Sequence, residues 1–356
     1  ETLPGGPASY LQEICSFQAD RLGDGNLAFV LPASQASHVQ EAVLSRSLLW
    51  ERSGRNLSSF LNLAGAVRAG VRKYQPEIIH VHSTYAGVIA RLAVLSLRQR
   101  PKVVYCSHGW SFAMETSAWK RHIYRHVEVF LSRFTDGIVN ISGFEQRLAL
   151  AAGIPAEKQR TILNGICEQF ASPTAERTSA GPLLLLFVGR HDRQKGLDIL
   201  LEAMENVPPG LVRLDVIGER QLGAGRTTCA NRAPDEGQVR FLGWLDRMEV
   251  FRLMASVDAV VMPSRWEGFG LVAVEALRAG TPVIASNRGA LPELVVDGKT
   301  GYVVEPTAYA LASCIASLDR ATLRTMGAAA RLDFLERFTS ARMNEELAQY
   351  YLDVAS

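Results

Sequence analysis

The chain has 356 residues, more than one hydrophobic core usually supports, and its 47% hydrophobic and 21% charged residues are typical of a globular two-domain protein. Its net charge of +2 conceals an asymmetry, because residues 1–165 hold 18 Lys and Arg against 12 Asp and Glu. No basic stripe with interleaved aromatic residues accompanies this excess, so nucleic-acid binding is not expected. The five cysteines are scattered without a CxxC pair, which argues against a disulfide framework and a zinc site and favours a reducing cytoplasm.

The hydrophobic segments are short. The longest purely apolar run, residues 183–188, is far below the roughly 20 residues that a membrane-spanning helix needs. Residues 1–20 do not show a basic start followed by an apolar stretch. We therefore expect neither a membrane span nor an export signal.

Strand and helix patterns alternate along the first half of the chain. In order, the predicted elements cover residues 27–31, 57–74, 77–81, 87–97, 102–106, 119–134, 137–141 and 144–151. Such alternation predicts a parallel sheet with helices on both faces.

The predicted helix over residues 119–134 is amphipathic. Its basic residues lie mostly away from one apolar face, which consists of Trp119, Ile123, Val127, Phe130, Leu131 and Phe134. A helix packed on the sheet with its basic side exposed is the favoured interpretation, because the same pattern serves any surface helix. Contact with anionic lipid, at the inner face of the cytoplasmic membrane, is the alternative.

A polar stretch separates the two halves. Residues 168–182 are rich in Pro, Ser, Thr and Ala, as is typical of a linker. Strand patterns then recur, and the tail is helical; these segments cover residues 183–188, 212–217, 239–241, 259–262, 282–285 and 332–354.

A glycine turn follows one of the later strands. The apolar residues 259–262 suit a buried parallel strand. Gly268 and Gly270 then allow the backbone to turn sharply and approach a ligand, and residues 271–279 have a helical composition. The N–H groups at the start of this helix would face an anion.

Two glutamates flank this turn eight residues apart. Glu275 falls about one and a half turns into the helix, where its carboxylate can accept two hydrogen bonds from a vicinal ribose diol. Glu267 lies in the loop and would be nearer the reacting sugar. The pattern indicates a sugar-nucleotide site.

This segment resembles the E-x7-E signature of the retaining GT-B glycosyltransferases of family 4. The resemblance extends to Phe187–Met204, which looks like the family's strand, loop and helix, and covers most of residues 160–305. Asn164-Gly165-Ile166, Gly243 and Gly289–Glu293 also match. The chain departs from the family's usual residues at Cys167 and His191.

The resemblance implies which residues bind the donor. An Arg and a Lys hold the donor diphosphate in the family, and Arg190 and Lys195 match them. The implied donor-binding residues are Gly6, Arg190, Lys195, Glu267, Gly268, Phe269, Gly270, Leu271 and Glu275. The implied catalytic residues are His108, Glu267, Arg190 and Lys195, with His108 stabilising the transferred sugar and Glu267 orienting it.

The first half also contains candidate site residues at strand ends. His82 and Ser83 follow one predicted strand and His108 follows the next. Active sites of such folds lie beyond the carboxyl ends of the strands, which favours these positions. With Gly5, His82 and Ser83 are the candidate acceptor-binding residues. His80, two residues before His82, is interpreted as a core residue that faces the opposite side of the strand from His82 or lies within the strand.

The implied fold class is α/β GT-B, with two Rossmann-like doubly wound parallel-sheet domains facing across a cleft. The expected parts are residues 1–167 for the acceptor domain, 168–182 for the linker, 183–337 for the donor domain and 338–356 for a helix that crosses back. Family members begin with a hydrophobic strand before the Gly-Gly loop, but only four residues precede Gly5. We expect that this strand was trimmed from the printed sequence.

The expected activity is metal-independent transfer, with retention of configuration, of a hexose-type sugar from a nucleoside diphosphate sugar. No two aspartates occur at i and i+2, so a DxD metal site is absent and neither a metal nor another cofactor is expected. The expected acceptor is a saccharide or a lipid-linked saccharide, in cell-envelope or exopolysaccharide assembly. The alternatives are a non-catalytic scaffold subunit of a polysaccharide assembly and a GT-B sugar-nucleotide 2-epimerase.

Overall fold

The computed structural model describes residues 6–23, 26–38, 46–168, 181–219 and 237–356. The chain divides into two compact units, one formed by residues 1–165 with 340–356 and the other by residues 166–339. The expected linker lies largely outside the described residues, and Gly5 lies outside them altogether.

The N-terminal unit contains parallel strands in two sheets. A two-stranded sheet pairs β1 (Phe29–Pro32) with β2 (Ser47–Trp50). A four-stranded sheet has the order β3-β4-β5-β6. Its strands are β3 (Ile78–His82), β4 (Lys102–Cys106), β5 (Gly137–Asn140) and β6 (Gln159–Thr161).

Helices pack against these strands or against one another and bury apolar residues there. Their core includes Val94, Val103, Tyr105 and Ile138, which are fully buried. The helices are α1 (Gly6–Leu22), α2 (Leu57–Tyr74), α3 (Thr84–Leu95), α4 (Ala118–Ser132), α5 (Gly143–Ala152) and the last helix, Ser340–Ala355, which packs against α1. Short 3-10 turns cover Ala33–His38, Ser111–Ala113 and Ala156–Lys158.

The C-terminal unit is built on a six-stranded parallel sheet of order β12-β11-β10-β7-β8-β9. Its strands are β7 (Leu183–Val188), β8 (Val212–Ile217), β9 (Val239–Gly243), β10 (Ala259–Met262), β11 (Val283–Ser286) and β12 (Gly301–Val304). Its helices are α6 (Leu197–Met204), α7 (Arg247–Ser256), α8 (Leu271–Arg278), α9 (Leu291–Leu294), α10 (Ala308–Ala316) and α11 (Arg320–Arg337). Both units are therefore α/β with parallel sheets, as the sequence predicts.

The sequence patterns missed β2, β6 and β12, which are only three or four residues long. Such short runs carry too little periodicity to be distinguished from loops. The prediction of one continuous helix over residues 332–354 is also wrong in detail, because α11 ends at Arg337 and a separate helix, α12 (Ser340–Ala355), follows. Phe338 is fully buried beside Phe269, and its carbonyl accepts a hydrogen bond from Ile166 N, so packing interrupts the helix there.

Candidate active site

The turn that carries Glu267 follows β10 in the C-terminal unit. Glu267 is 5% exposed, and one of its carboxylate oxygens accepts hydrogen bonds from Lys195 Nζ at 2.5 Å and from Ser264 Oγ at 3.1 Å. Lys195 lies 72 residues earlier, in the loop after β7. The fold thus pairs two of the predicted catalytic residues, a buried carboxylate and a partly exposed ammonium group.

Arg190 lies at the start of the same loop. Its guanidinium group contacts Asp192 at 3.1 Å and Gln194 at 3.2 Å, and its side chain remains 45% exposed. The side chain of Gln194 in turn donates to the carbonyl of Trp266. The two loops are therefore joined by direct hydrogen bonds, which limits the freedom of the cations that they carry.

An ion pair also supports the junction of these loops. Arg265 binds Asp198, in α6, with a two-point contact of 2.8 and 2.6 Å. Its backbone N–H donates to the carbonyl of Gln194. Bidentate pairs of this kind fix geometry as well as charge.

Two glycines allow this close approach. Gly196 has φ +71°, and a Cβ there would lie 2.2 Å from the carbonyl oxygen of Pro263. Gly289 has φ +64°, and a Cβ there would lie 2.0 Å from the carbonyl oxygen of Glu267. The next residue, Ala290, donates its N–H to the same oxygen at 3.0 Å. The backbone of Glu267 is thus held by the segment Gly289–Glu293 that the sequence singled out.

We predict that Gly289→Ala destabilises the protein by more than Gly298→Ala. Both glycines have positive φ, but the space around Gly298 is open, so only the backbone strain of about 1 kcal/mol applies there. At Gly289 the added methyl group also displaces the Glu267 backbone. Urea unfolding of the two variants measures the difference, and equal losses would contradict the steric account.

The remaining residues of the turn have mixed environments. Gly268, Phe269 and Gly270 are buried, and Leu271 is half-buried at the start of α8. Gly270 has φ +109° and caps this helix, with the Leu291 side chain 2.9 Å from where a Cβ would lie. Phe269 packs against Phe338 with ring centroids 6.4 Å apart. The Phe269 side chain is therefore part of the core, and only the backbone groups of Phe269 could contact a ligand.

Glu275 is in α8 and is half-buried. Burial raises the pKa of its carboxyl group above the usual value, while Arg247 and Arg278 lower it. None of the described residues donates a hydrogen bond to this carboxylate. It therefore combines a desolvation cost with unused acceptor capacity, which suits a group that binds a ligand hydroxyl.

His191 follows Arg190 and departs from the family pattern. Its ring lies near Phe187 and Phe241, with centroids 6.5 and 6.0 Å away, and burial lowers its pKa. Its Nε2 atom is buried, and no described residue hydrogen-bonds to it. The imidazole is thus neutral at physiological pH beside the exposed guanidinium group.

A second group of predicted residues gathers in the N-terminal unit. His82 ends β3 and His108 follows β4, and His82 Nδ1 lies 3.1 Å from His108 Nε2. Burial lowers the pKa of both rings, that of His108 to about 3, so both are neutral at physiological pH. His108 and Ser83 have φ of +54° and +71°, and such strained non-glycine residues cluster at functional sites. The Ser83 hydroxyl is buried, and no described residue hydrogen-bonds to it.

The interpretation of His80 as facing away from His82 is wrong. The two rings lie 4.1 Å apart, centroid to centroid, because residues i and i+2 of a strand share a face. His80 is half-buried, and its Nδ1 contacts the hydroxyl of Tyr351, in α12, at 2.6 Å. Gly6 begins α1.

The sequence patterns did not single out Glu145, which is buried in α5. Its carboxylate accepts hydrogen bonds from Trp110 N at 3.0 Å and Ser107 Oγ at 3.5 Å. Burial is the largest cause that raises the pKa of this carboxyl group, to about 7. Glu145 therefore holds the residues on both sides of His108, through the Ser107 side chain and the Trp110 backbone. A buried acidic position in an amphipathic helix cannot be recognised without knowing which face is covered.

We expect the stability of the protein to fall as pH rises through about 7, partly because of Glu145. Its folded pKa lies above the unfolded value of about 4.3, so the contribution is complete below about pH 4.3 and is lost as the carboxyl group ionises. Glu145→Gln keeps an acceptor and removes the ionisation. The melting temperature of this variant should exceed that of the parent by at least about 2 °C at pH 8.5, and by less at pH 5.5. An equal difference at both pH values would contradict the assignment.

Comparisons with known proteins agree with the geometry. A family model described as "Glycosyl transferases group 1" matches residues 170–332, and one described as "Glycosyl transferase 4-like domain" matches residues 5–165. An "Uncharacterized 41.2 kDa protein in cps region" of Klebsiella pneumoniae is 32% identical over 314 residues, covering 85% of this chain and 84% of that protein. A glycogen synthase of Mycobacterium tuberculosis is 30% identical over 304 residues, covering 80% and 73%.

Among solved structures, Anabaena HepE in complex with UDP superimposes with a TM-score of 0.83. The match covers 99% of this chain and 98% of that one at 24% sequence identity, which shows a common fold. The two family models together account for both units. The chain therefore belongs to the glycosyl transferases group 1 family, has the GT-B fold and is a glycosyltransferase.

Proposed function

We propose that the protein transfers a hexose-type sugar from a nucleoside diphosphate sugar to a saccharide or lipid-linked saccharide, with retention of anomeric configuration and without a metal ion. The observation that carries the proposal is the contact of Lys195 with Glu267 beside the exposed Arg190. It places two fixed cations and a buried carboxylate where two loops of the donor unit meet.

Sugar transfer develops negative charge on the leaving diphosphate and positive charge on the sugar ring. Fixed cations at the diphosphate stabilise this transition state more than the ground state. Among the described residues, the ammonium group of Lys195 donates one hydrogen bond, to Glu267, which leaves two of its protons for phosphate oxygens. Glu267 would orient the sugar, Glu275 would bind the nucleotide ribose, and His108 would stabilise the transferred sugar.

Retention of the anomeric configuration requires that the acceptor oxygen bonds to the anomeric carbon on the same face from which the diphosphate departs. In this proposal the C–O bond to the diphosphate breaks and the acceptor O–H proton passes to the departing phosphate oxygen, so no protein nucleophile is needed. The neutral state of His108 suits this role, because a cationic ring would oppose positive charge on the sugar.

The donor is tested by thermal shift and calorimetry with UDP, GDP, ADP and their sugars, because selective binding to the folded state raises the melting temperature. UDP and UDP-glucose are the first probes, since HepE of similar fold was solved with UDP. Turnover with EDTA tests metal independence, and the anomeric signals of the product in an NMR spectrum test retention. Loss of turnover with EDTA, or product of inverted configuration, would overturn the corresponding part of the proposal.

The two alternatives predict different products. An epimerase converts the donor with no acceptor present, whereas a transferase releases nucleoside diphosphate and forms a new glycoside only with one. A scaffold does neither. The assignment of the acceptor to glycan assembly is supported by the similarity to a protein "in cps region" and to a glycogen synthase.

We also propose peripheral contact with anionic membrane through α4. The apolar face of this helix is covered only in part, which differs from the favoured interpretation of its sequence. Leu131 is buried, but Trp119, Ile123 and Phe130 are 62%, 48% and 50% exposed. The cause is Glu128, which is buried and binds Arg91 at 2.7 Å and the Tyr105 hydroxyl at 2.9 Å. At 100° per residue these exposed apolar residues lie on the side opposite Glu128.

Exposed Lys120 and Arg133 flank these exposed apolar residues, which fits an anionic lipid surface. None of the helices in the described ranges combines the length and apolar composition needed to cross a bilayer. Surface contact would instead bury side chains worth about 1.5–3 kcal/mol each if they are covered completely.

We therefore expect the protein to sediment with vesicles of anionic phosphatidylglycerol and much less with neutral phosphatidylcholine. The double substitution Ile123→Glu, Phe130→Glu should lower the partition coefficient for these anionic vesicles at least about tenfold. Leu57→Glu with Leu61→Glu is the matched control, because both leucines are exposed on α2 of the same unit and the change in charge is the same. Equal losses in the two variants, or equal binding to both kinds of vesicle, would exclude this contact.

A further inference from the structure

Three metal-ligating side chains meet at the ends of β3 and β4. His82 and Cys106 are register partners in these adjacent parallel strands, and His108 follows two residues after Cys106. His82 Nδ1 lies 3.1 Å from His108 Nε2, and Cys106 Sγ lies 3.7 Å from His108 Nδ1. One ligand atom from each of the three residues lies within 4.8 Å of the other two.

These separations are close to those around a tetrahedral zinc ion. Two nitrogen ligands at about 2.0–2.1 Å from zinc lie about 3.3 Å apart, and a nitrogen and a sulfur ligand lie about 3.5 Å apart. The observed 3.1 and 3.7 Å end on different nitrogens of His108, Nε2 and Nδ1, and only one of these nitrogens can bind a given ion. Since one ligand atom of each residue lies within 4.8 Å of the others, side-chain rotation that shortens the longest separation by roughly 1 Å brings all three to one ion.

The surrounding structure holds these donors in place. The N–H of Ser83 donates to the carbonyl of Cys106 at 2.9 Å, which ties the ends of the two strands together. The positive φ of His108 turns its ring back towards His82. The buried ring of Tyr10 packs edge-on against both imidazoles, with centroids 5.7 Å from His82 and 4.7 Å from His108. A site assembled on two strands loses little conformational entropy when an ion binds.

We propose that His82, Cys106 and His108 bind one thiophilic divalent cation of the zinc class. Two neutral imidazoles and one thiolate form the ligand set, the Cys106 thiol releases one proton to solvent, and a water molecule takes the fourth position. The ion is not required for sugar transfer. It occupies the ring of His108, so it inhibits transfer; this consequence rests on the proposed function, whereas the binding itself does not.

This site cannot be recognised from the spacing of its ligands along the chain. Known zinc motifs place pairs of ligands within a few residues, whereas His82 and Cys106 are brought together by strand pairing across an intervening helix. This proposal departs from the expectation, drawn from cysteine spacing, that the chain has no zinc site.

A competing pair must be removed before the test. His122 and His126 occupy successive turns of α4 with ring centroids 4.1 Å apart, and both are exposed. An i, i+4 histidine pair on a helix can bind zinc by itself. The test therefore uses the His122→Ala, His126→Ala double variant, reduced and without a histidine tag, as the parent protein.

Zinc calorimetry and cobalt(II) absorption measure the binding. We expect one equivalent of zinc, and a thiolate-to-cobalt charge-transfer band, in this parent. Cys106→Ser should abolish the band and weaken zinc binding by more than about 100-fold, since loss of even an outer-sphere partner costs about 10–100-fold. His82→Ala, whose fold is checked by its melting temperature, should weaken zinc binding similarly. The exposed cysteine Cys167 supplies the matched control, and Cys167→Ser should change neither signal.

Inhibition is tested separately. Zinc should inhibit the parent and not Cys106→Ser, whose uninhibited turnover should stay within about threefold of the parent. Absence of zinc binding, or a cobalt band that persists in Cys106→Ser, would overturn the site whatever the activity. Binding that is lost in Cys106→Ser without any inhibition would retain the site and overturn its link to His108 in catalysis. Inactivity of every protein without zinc would instead count against the proposed function, because the calorimetric result does not depend on it.

Discussion

Lys195→Ala should reduce kcat/KM for sugar transfer by about 100- to 1,000-fold. Loss of one preorganised group that stabilises transition-state charge typically costs this much. The same change should weaken binding of the nucleoside diphosphate, because Lys195 is 19% exposed and its ammonium group retains protons for phosphate oxygens. Steady-state kinetics with the preferred donor, and calorimetry with the nucleotide alone, measure the two effects.

A stability effect must be separated from this catalytic effect. Without Lys195, the buried carboxylate of Glu267 retains only the described hydrogen bond from Ser264, so the melting temperature should also fall. The double variant Lys195→Ala, Glu267→Gln removes the unpaired charge and should recover stability without recovering activity. Lys299→Ala, at an exposed lysine in the same unit, serves as the matched control. Lys195→Ala that keeps kcat/KM within threefold of the parent would contradict the assignment of this cation to the diphosphate.

Glu275→Gln should weaken nucleoside diphosphate binding by about 10- to 150-fold. A hydrogen bond to a charged group contributes about 1.5–3 kcal/mol, and the amide cannot accept as strongly from both ribose hydroxyls. The nucleobase alone should bind the parent protein and Glu275→Gln with equal affinity, since it has no ribose diol. Calorimetric titration with both ligands measures the difference. Equal losses for the nucleobase and the nucleotide would place Glu275 outside the ribose site.

The same substitution should stabilise the protein without ligand at neutral pH. Burial raises the folded-state pKa of Glu275, so its contribution to stability is present below the usual glutamate pKa and is lost as pH rises through the folded value. The gain in melting temperature for Glu275→Gln should therefore shrink as pH falls towards about 4.3. Glu202→Gln, at an exposed glutamate of α6, should show no such gain. A ligand group retained at a cost in stability is typical of a binding site.

Local patterns predicted the fold class because parallel α/β structure repeats simple signals. The helix Leu57–Tyr74 and the strands Lys102–Cys106, Leu183–Val188, Val212–Ile217 and Ala259–Met262 have the bounds that the sequence predicts. Each is a long or strongly apolar segment with turn residues at its ends. The short strands β2, β6 and β12 were missed because pairing with a neighbouring strand, rather than local periodicity, defines them.

The candidate site was predictable where a motif is continuous in sequence. The glycine turn and its two glutamates occupy nine residues, so their order alone specifies a loop followed by a helix. Their partners are distant: Lys195 contacts Glu267 across 72 residues, and Glu145 braces the His108 segment across 35 to 38 residues. Only chain folding decides which cation reaches which carboxylate.

The sequence by itself determined the α/β class, the two-part organisation and the loop with Glu267 and Glu275, because hydrophobic periodicity and turn residues act over a few neighbouring positions. The tertiary structure decided which side of α4 faces solvent, since the helix buries the Glu128–Arg91 ion pair and leaves Trp119, Ile123 and Phe130 exposed. It also decided that His82, Cys106 and His108 meet, because strand register joins residues that no local pattern connects. Burial and register depend on the whole core, so these side-chain encounters are properties of the fold rather than of any segment.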